Sequence, residues 1–173
     1  FGLMMITVRL PQIARATSGN GLQNIVDGMK YIGARPVFRI LILTSFLNAF
    51  FGMSHVTLMP IFAEKLLGNA SGSGISLLFS VAGLGGLTGA FVGGSMGNIG
   101  GKGLLIIGGA GGYGLMLIAF AFVPWYGLAL ALEWIAAVCL QLFSVTAQTT
   151  LQSSVPDEFR GRVMGIWGMT HST

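Results

Sequence analysis

Charge is scarce in this sequence. Asp, Glu, Lys and Arg make up 8% of its 173 residues, and only five of them are acidic. Soluble domains carry about 25% charged residues, so this chain cannot clothe its own surface in polar groups. Cysteine is scarcer still: the single Cys139 excludes a disulfide framework. No His, Cys, Asp and Glu fall at metal-ligand spacing, and no Ser, His and Asp set presents a nucleophile, so neither a metal nor another cofactor is expected. The net charge of +4 is small and segregated along the chain, which points to membrane orientation and away from nucleic acid.

What fills the space is apolar residues, 53% of the chain, with a mean hydropathy of +0.80 and 28 glycines. The expected fold class is therefore all-α, a polytopic transmembrane helix bundle sitting in a lipid bilayer. Its organising stretch is Ser80 to Gly103, where Gly85, Gly89, Gly93 and Gly97 recur at every fourth position and share one helix face. Such glycines weaken a soluble helix, whereas in lipid small residues at this spacing let two helices approach closely.

Taken in order, residues 1–10 read as the end of a truncated span, Phe1 to Val8, closed by Arg9 and Pro11. Residues 11–36 read as a polar loop and a short amphipathic helix. Leu22, Ile25, Val26, Met29 and Ile32 share its apolar face, Asn20 and Gln23 form a capping box, and Gly33 with Pro36 closes it. This helix is expected to lie along the membrane surface. Residues 37–173 hold four complete spans. They are Phe38 to Leu58 with Pro60 just past its end, Gly74 to Gly97, Leu104 to Val123, and Leu128 to about Ala147. A polar connection, Ile61 to Ser73, follows the first; a polar run from Gln148 to Ser154 follows the fourth. A charged loop, Pro156 to Arg162, then precedes a span that stops at Thr173.

Alternating spans sort the loops into two sets. Arg9, Arg15, Lys30, Arg35, Arg39, Lys102, Arg160 and Arg162 fall on one side, and only Lys65 on the other. The positive-inside rule makes the first side cytoplasmic.

Several motifs carry two readings. Gly109-Ala-Gly111-Gly-Tyr-Gly114, with Glu133 some twenty residues on, matches a dinucleotide fingerprint locally. The helix that would follow, however, is apolar on every face, and no strand-helix alternation exists to build a parallel sheet. Glu133 is the only acid within a complete span: a functional intramembrane carboxylate, or a hydrated group six residues after the Tyr126-Gly127 turn. Asn48 and Gln141 lie mid-span, as substrate contacts or helix–helix hydrogen bonds. His55 is a proton relay or an interfacial histidine. Asn69-Ala70-Ser71 is a glycosylation sequon on the outer side.

At Val155-Pro-Asp-Glu-Phe-Arg-Gly-Arg-Val-Met-Gly165 the chain resembles the major facilitator superfamily, in the branch of bacterial drug-efflux and siderophore-exporter permeases. Gly28 to Pro36 resembles that branch's central cytoplasmic segment. The resemblance implies the end of span six, the middle loop, complete spans seven to ten and a truncated span eleven. That is a partial C-terminal six-helix half whose N-terminal half is its missing partner. It implies a proton-coupled exporter of small, partly hydrophobic molecules in the bacterial inner membrane, working by alternating access, and no enzyme. Spans seven and ten would line the cavity, placing Asn48, Glu133 and Gln141 on the substrate or proton pathway. The cytoplasmic signature between spans eight and nine matches at Gly94, Gly101 and Lys102, whereas Asn98 and Ile99 replace its acid and Arg. Asp157, Arg160 and Arg162 would supply the cytoplasmic ion-pair lock instead, or only set topology. The glycine ladder would lie at the seam between halves. Rivals are a non-transporting membrane scaffold and a membrane enzyme using Glu133 as acid or base, for which the sequence reveals no partner group.

Overall fold

A computed structural model of the chain describes residues 21–67, 72–96 and 101–171. Among them lie six helices: α1 (Gly21–Ala34), α2 (Pro36–Leu67), α3 (Gly72–Ser95), α4 (Lys102–Ala121), α5 (Tyr126–Ser154) and α6 (Asp157–His171). No strand occurs among the described residues, so the fold is all-α and the dinucleotide-binding sheet is absent from them. Helices α2 to α5 are long and apolar enough to cross a membrane. The Phe1 to Val8 segment, Arg9, Arg15, Asn20, the Asn69 sequon, Gly97, Asn98 and Ile99 lie outside the described residues.

Helix α5 is the centre. Its neighbours approach at backbone distance because they present glycine. A Cβ built on Gly85 would lie 2.5 Å from the Trp134 carbonyl oxygen, and one on Gly89 would lie 2.6 Å from that of Val138. Gly93 continues the face toward Leu142 and Val145. The indices rise together, so α3 and α5 run parallel. On the other side, Gly109 faces Cys139 and Phe143 while Gly112 faces Cys139, so α4 runs antiparallel to α5. The run of glycines in α4 thus splits. Gly109 and Gly112 make the contact, whereas Gly108, Gly111 and Gly114 face open space. The expectation of a glycine face held for a seam between halves is corrected: at Gly85, Gly89 and Gly93 that face is covered by α5 of the same chain.

Helix α2 crosses α5 antiparallel. Two apolar clusters mark the ends of the crossing. At one end Phe38 and Leu41 pack with Phe143, Ala147, Leu151, Val163 and Trp167. At the other Met59 and Ala63 pack with Leu78, Phe120 and Ala129. The first cluster adjoins the helix ends that carry Lys30, Arg35, Arg39, Lys102, Arg160 and Arg162, the side that the positive-inside rule makes cytoplasmic. Tyr126 ties the opposite end by donating from its hydroxyl to the Gly74 carbonyl oxygen at 2.6 Å.

Several helix ends differ from the sequence expectation. Helix α2 continues through Pro60 to Leu67, replacing the first part of the polar connection. Proline removes one N–H donor, and membrane helices tolerate this where neighbours re-satisfy the freed carbonyl. Helix α5 carries its polar run, Gln148 to Ser154, as helix, with Thr149 and Thr150 donating to carbonyls four residues back. Pro156 does not open a loop. Its carbonyl accepts from the N–H groups of Phe159 and Arg160, so Asp157, Arg160 and Arg162 stand on the first turns of α6. The acid in the first turn suits the positive end of the helix dipole. Helix α1 turns Ile32 and Gly28 inward, Gly28 against Ile166 and Arg162, and leaves Val26 and Met29 exposed.

The glycine contacts predict a graded response. Gly89→Ala should lower stability in detergent by about 1–3 kcal/mol, as overpacking does, while Gly86→Ala, whose Cβ meets nothing within 4 Å, should not. Thermal unfolding of the two variants checks this; equal midpoints would contradict the close approach.

Candidate functional site

Three polar side chains are buried among the described residues: Ser45, Thr146 and Glu133. Ser45 and Thr146 lie beside the first apolar cluster; the Ser45 hydroxyl donates to the Leu41 carbonyl oxygen at 2.7 Å, and Thr146 Oγ1 has no hydrogen-bond partner among the described residues. Glu133 stands on α5 seven residues past its first residue, about 10 Å along the axis. It is 5% exposed. His55 Nε2 and Glu133 Oε2 share a hydrogen bond across 2.8 Å, joining α2 to α5. The imidazole stands edge-on to Phe120, ring centroids 5.0 Å apart, and Phe120 packs against Phe62. Within the bundle, then, Glu133 is buried and paired, and His55 is half-buried. Burying a lone carboxylate is costly, so the pairing explains how the residue is tolerated.

The sequence missed this pairing, because 78 positions separate the two residues. A signal was there: the resemblance puts both residues on spans that would line the cavity, and each had an interfacial reading. Tyr113 was also missed. It is buried on α4 within electrostatic reach of Glu133, its hydroxyl tucked against Gly52 of α2. As an aromatic inside an apolar span it carried no distinguishing mark.

The other expected pathway residues do not join the pair. Asn48 Nδ2 donates to the Thr44 carbonyl oxygen at 2.9 Å and faces α4. Gln141 lies eight residues beyond Glu133, its Cβ against Gly89 at the α3–α5 contact. Two grooves flank α2, one of about 430 Å³ against α4 and one of about 500 Å³ against α6, the latter lined by Phe46, Phe50, Met53 and Met169. Neither is lined by Glu133 or Gln141.

At the cationic end the loop-motif residues divide. Asp157 and Arg160 pair with each other at 2.6 Å, both well exposed. Such a pair contributes little to stability. Arg162 reaches Asp27 of α1 at 3.5 Å. Beside it the Tyr31 ring stacks on Phe159 and Phe38, and Arg35 lies over Tyr31. Gly101 has φ +143°, a conformation that favours glycine, which turns the chain into Lys102 at the start of α4. Gly94 faces open space, and Lys102 makes no ion pair among the described residues.

Four apolar helices of membrane-crossing length around a buried ion pair, flanked by grooves, have the build of a membrane transport protein. The model of the Major Facilitator Superfamily matches residues 1–173, and the chain belongs to that family. Comparison with curated proteins and with solved structures finds no match. The family is one of secondary transporters, multi-pass in the membrane, that carry small molecules.

A double-mutant cycle tests the pair. Glu133→Ala alone should destabilise by roughly 3–5 kcal/mol if it strands a buried partner, whereas His55→Leu with Glu133→Leu should cost far less than the two single changes summed. Additive effects in denaturant unfolding would show that the two side chains do not interact.

Proposed function

We propose that the chain is most of the second half of a proton-coupled exporter of small, partly hydrophobic molecules, working by alternating access in a bacterial inner membrane. The observation that carries this reading is the buried His55–Glu133 pair. It is the one place among the described residues where an acid in a spanning helix is held by a titratable group from another spanning helix. Protonation there changes the attraction between α2 and α5, so proton occupancy is linked to how closely these two helices are held at that end. In alternating access such a link biases one arrangement over the other. Asp27–Arg162 and Asp157–Arg160 would hold the opposite, cationic end, as an ion-pair lock sensitive to salt where exposed.

Efflux of a panel of fluorescent hydrophobic dyes from proteoliposomes holding the intact protein tests the reading. Glu133→Gln should reduce gradient-driven flux by roughly tenfold or more, the scale on which proton-transfer groups act, while leaving counterflow exchange measurable. Wild-type flux in Glu133→Gln, or flux indifferent to an imposed proton gradient, would contradict it. A non-transporting scaffold predicts no dye movement in any variant.

A further inference from the structure

The groove between α2 and α4 is a second place built to hold something, separate from the ion pair. Its walls are apolar, with Phe51 on one side and Gly111 and Gly114 on the other. A Cβ at either glycine would meet nothing within 4 Å, so the missing side chains are what leave the groove open. Three polar residues line it: Thr44, Asn48 and Tyr113. Tyr113 is 4% exposed, and its hydroxyl has no hydrogen-bond partner among the described residues. Asn48 uses Nδ2 on the Thr44 carbonyl oxygen, which leaves Oδ1 without a partner among the described residues. Both residues line an otherwise apolar groove, where a polar group on an incoming molecule would find hydrogen-bonding capacity not used within the described residues.

We propose that this groove binds a neutral amphiphile drawn from the bilayer. Its apolar body lies between α2 and α4, and one hydroxyl or amide group hydrogen-bonds Tyr113 Oη and Asn48 Oδ1. Neutrality follows from the lining, which contains no charged side chain to offset a desolvated head group. Entry from the bilayer follows from the rim, where Leu47, Phe51 and Ile118 are exposed apolar residues of spanning helices. A compact apolar pocket with a few convergent polar groups is the usual form of a small-molecule site. The inference goes beyond the transport reading and stands without proton coupling.

The test uses the intact protein in lipid nanodiscs and a diazirine-bearing alkyl alcohol as photoprobe, with labelled peptides read by mass spectrometry. Labelling is expected to concentrate on residues 44–51 and 111–118, to saturate, and to be displaced by unlabelled alcohol. Gly114→Leu fills the groove and should cut labelling by roughly tenfold. Tyr113→Phe should weaken half-saturation by roughly tenfold, the worth of about one hydrogen bond, while keeping the ring. Gly86→Leu, at an open glycine on α3, should leave both unchanged. Labelling spread evenly over the lipid-facing helices, or unaffected by Gly114→Leu, would overturn the proposal. So would a photoreactive residue at Ile118 that cross-links to another helix of the same polypeptide, because the groove would then be that helix's seat.

Discussion

Everything in this bundle depends on how closely the backbone of α5 is approached from two sides. Lipid tails are as apolar as leucine, so membrane helices gain little by hiding from solvent and are held by packing and hydrogen bonds. Here α3 offers Gly85 and Gly89 to the carbonyls of Trp134 and Val138, and α4 offers Gly109 and Gly112 to Cys139 and Phe143. A side chain at Gly85, Gly89 or Gly109 would meet backbone atoms of α5 and drive the helices apart. Helix α5 therefore has little freedom to slide or rotate between them, and Glu133 is fixed at one depth and on one face.

That fixed position gives the ion pair its meaning. Helix α2 is held less tightly, through side chains at two apolar clusters and through His55, which stands beside Phe120 of the second. Much of its surface carries exposed bulky residues, including Phe46, Phe50, Phe51 and Met53. The core of α3, α4 and α5 is packed through glycine contacts, and α2 joins it through side chains alone. At the cationic end, α1 spans the starts of α2 and α6 through Tyr31, Ile32 and Asp27, so these three segments form one local cluster.

Much of the fold was legible in the sequence because the signals were periodic. Four spans emerge from hydropathy and the ladder from a spacing of four. Helix ends were less legible, because Pro60, the Gln148 to Ser154 run and Pro156 each look like breaks. A proline inside a membrane helix and hydroxyls bonded to the preceding turn override those local preferences. The site was the least legible part. Sequence spacing gives the face of a residue on its own helix but not which neighbour it meets, so Glu133 and His55 were seen singly and Tyr113 not at all. The partner of the ladder was likewise beyond reach: small residues announce a close contact without saying with which helix.

Native Cys139 offers a direct test of the packing around α5. A Cβ on Gly112 would lie 3.7 Å from the Cys139 Cβ, within the range that a disulfide bridges, and Cys139 is the only cysteine in the chain. Gly112→Cys, oxidised in the membrane and analysed by peptide mapping, is expected to form an internal disulfide with Cys139, whereas Gly111→Cys, on the open face of α4, is not. Absence of the bridge at 112, or an equal yield at 111, would contradict the account.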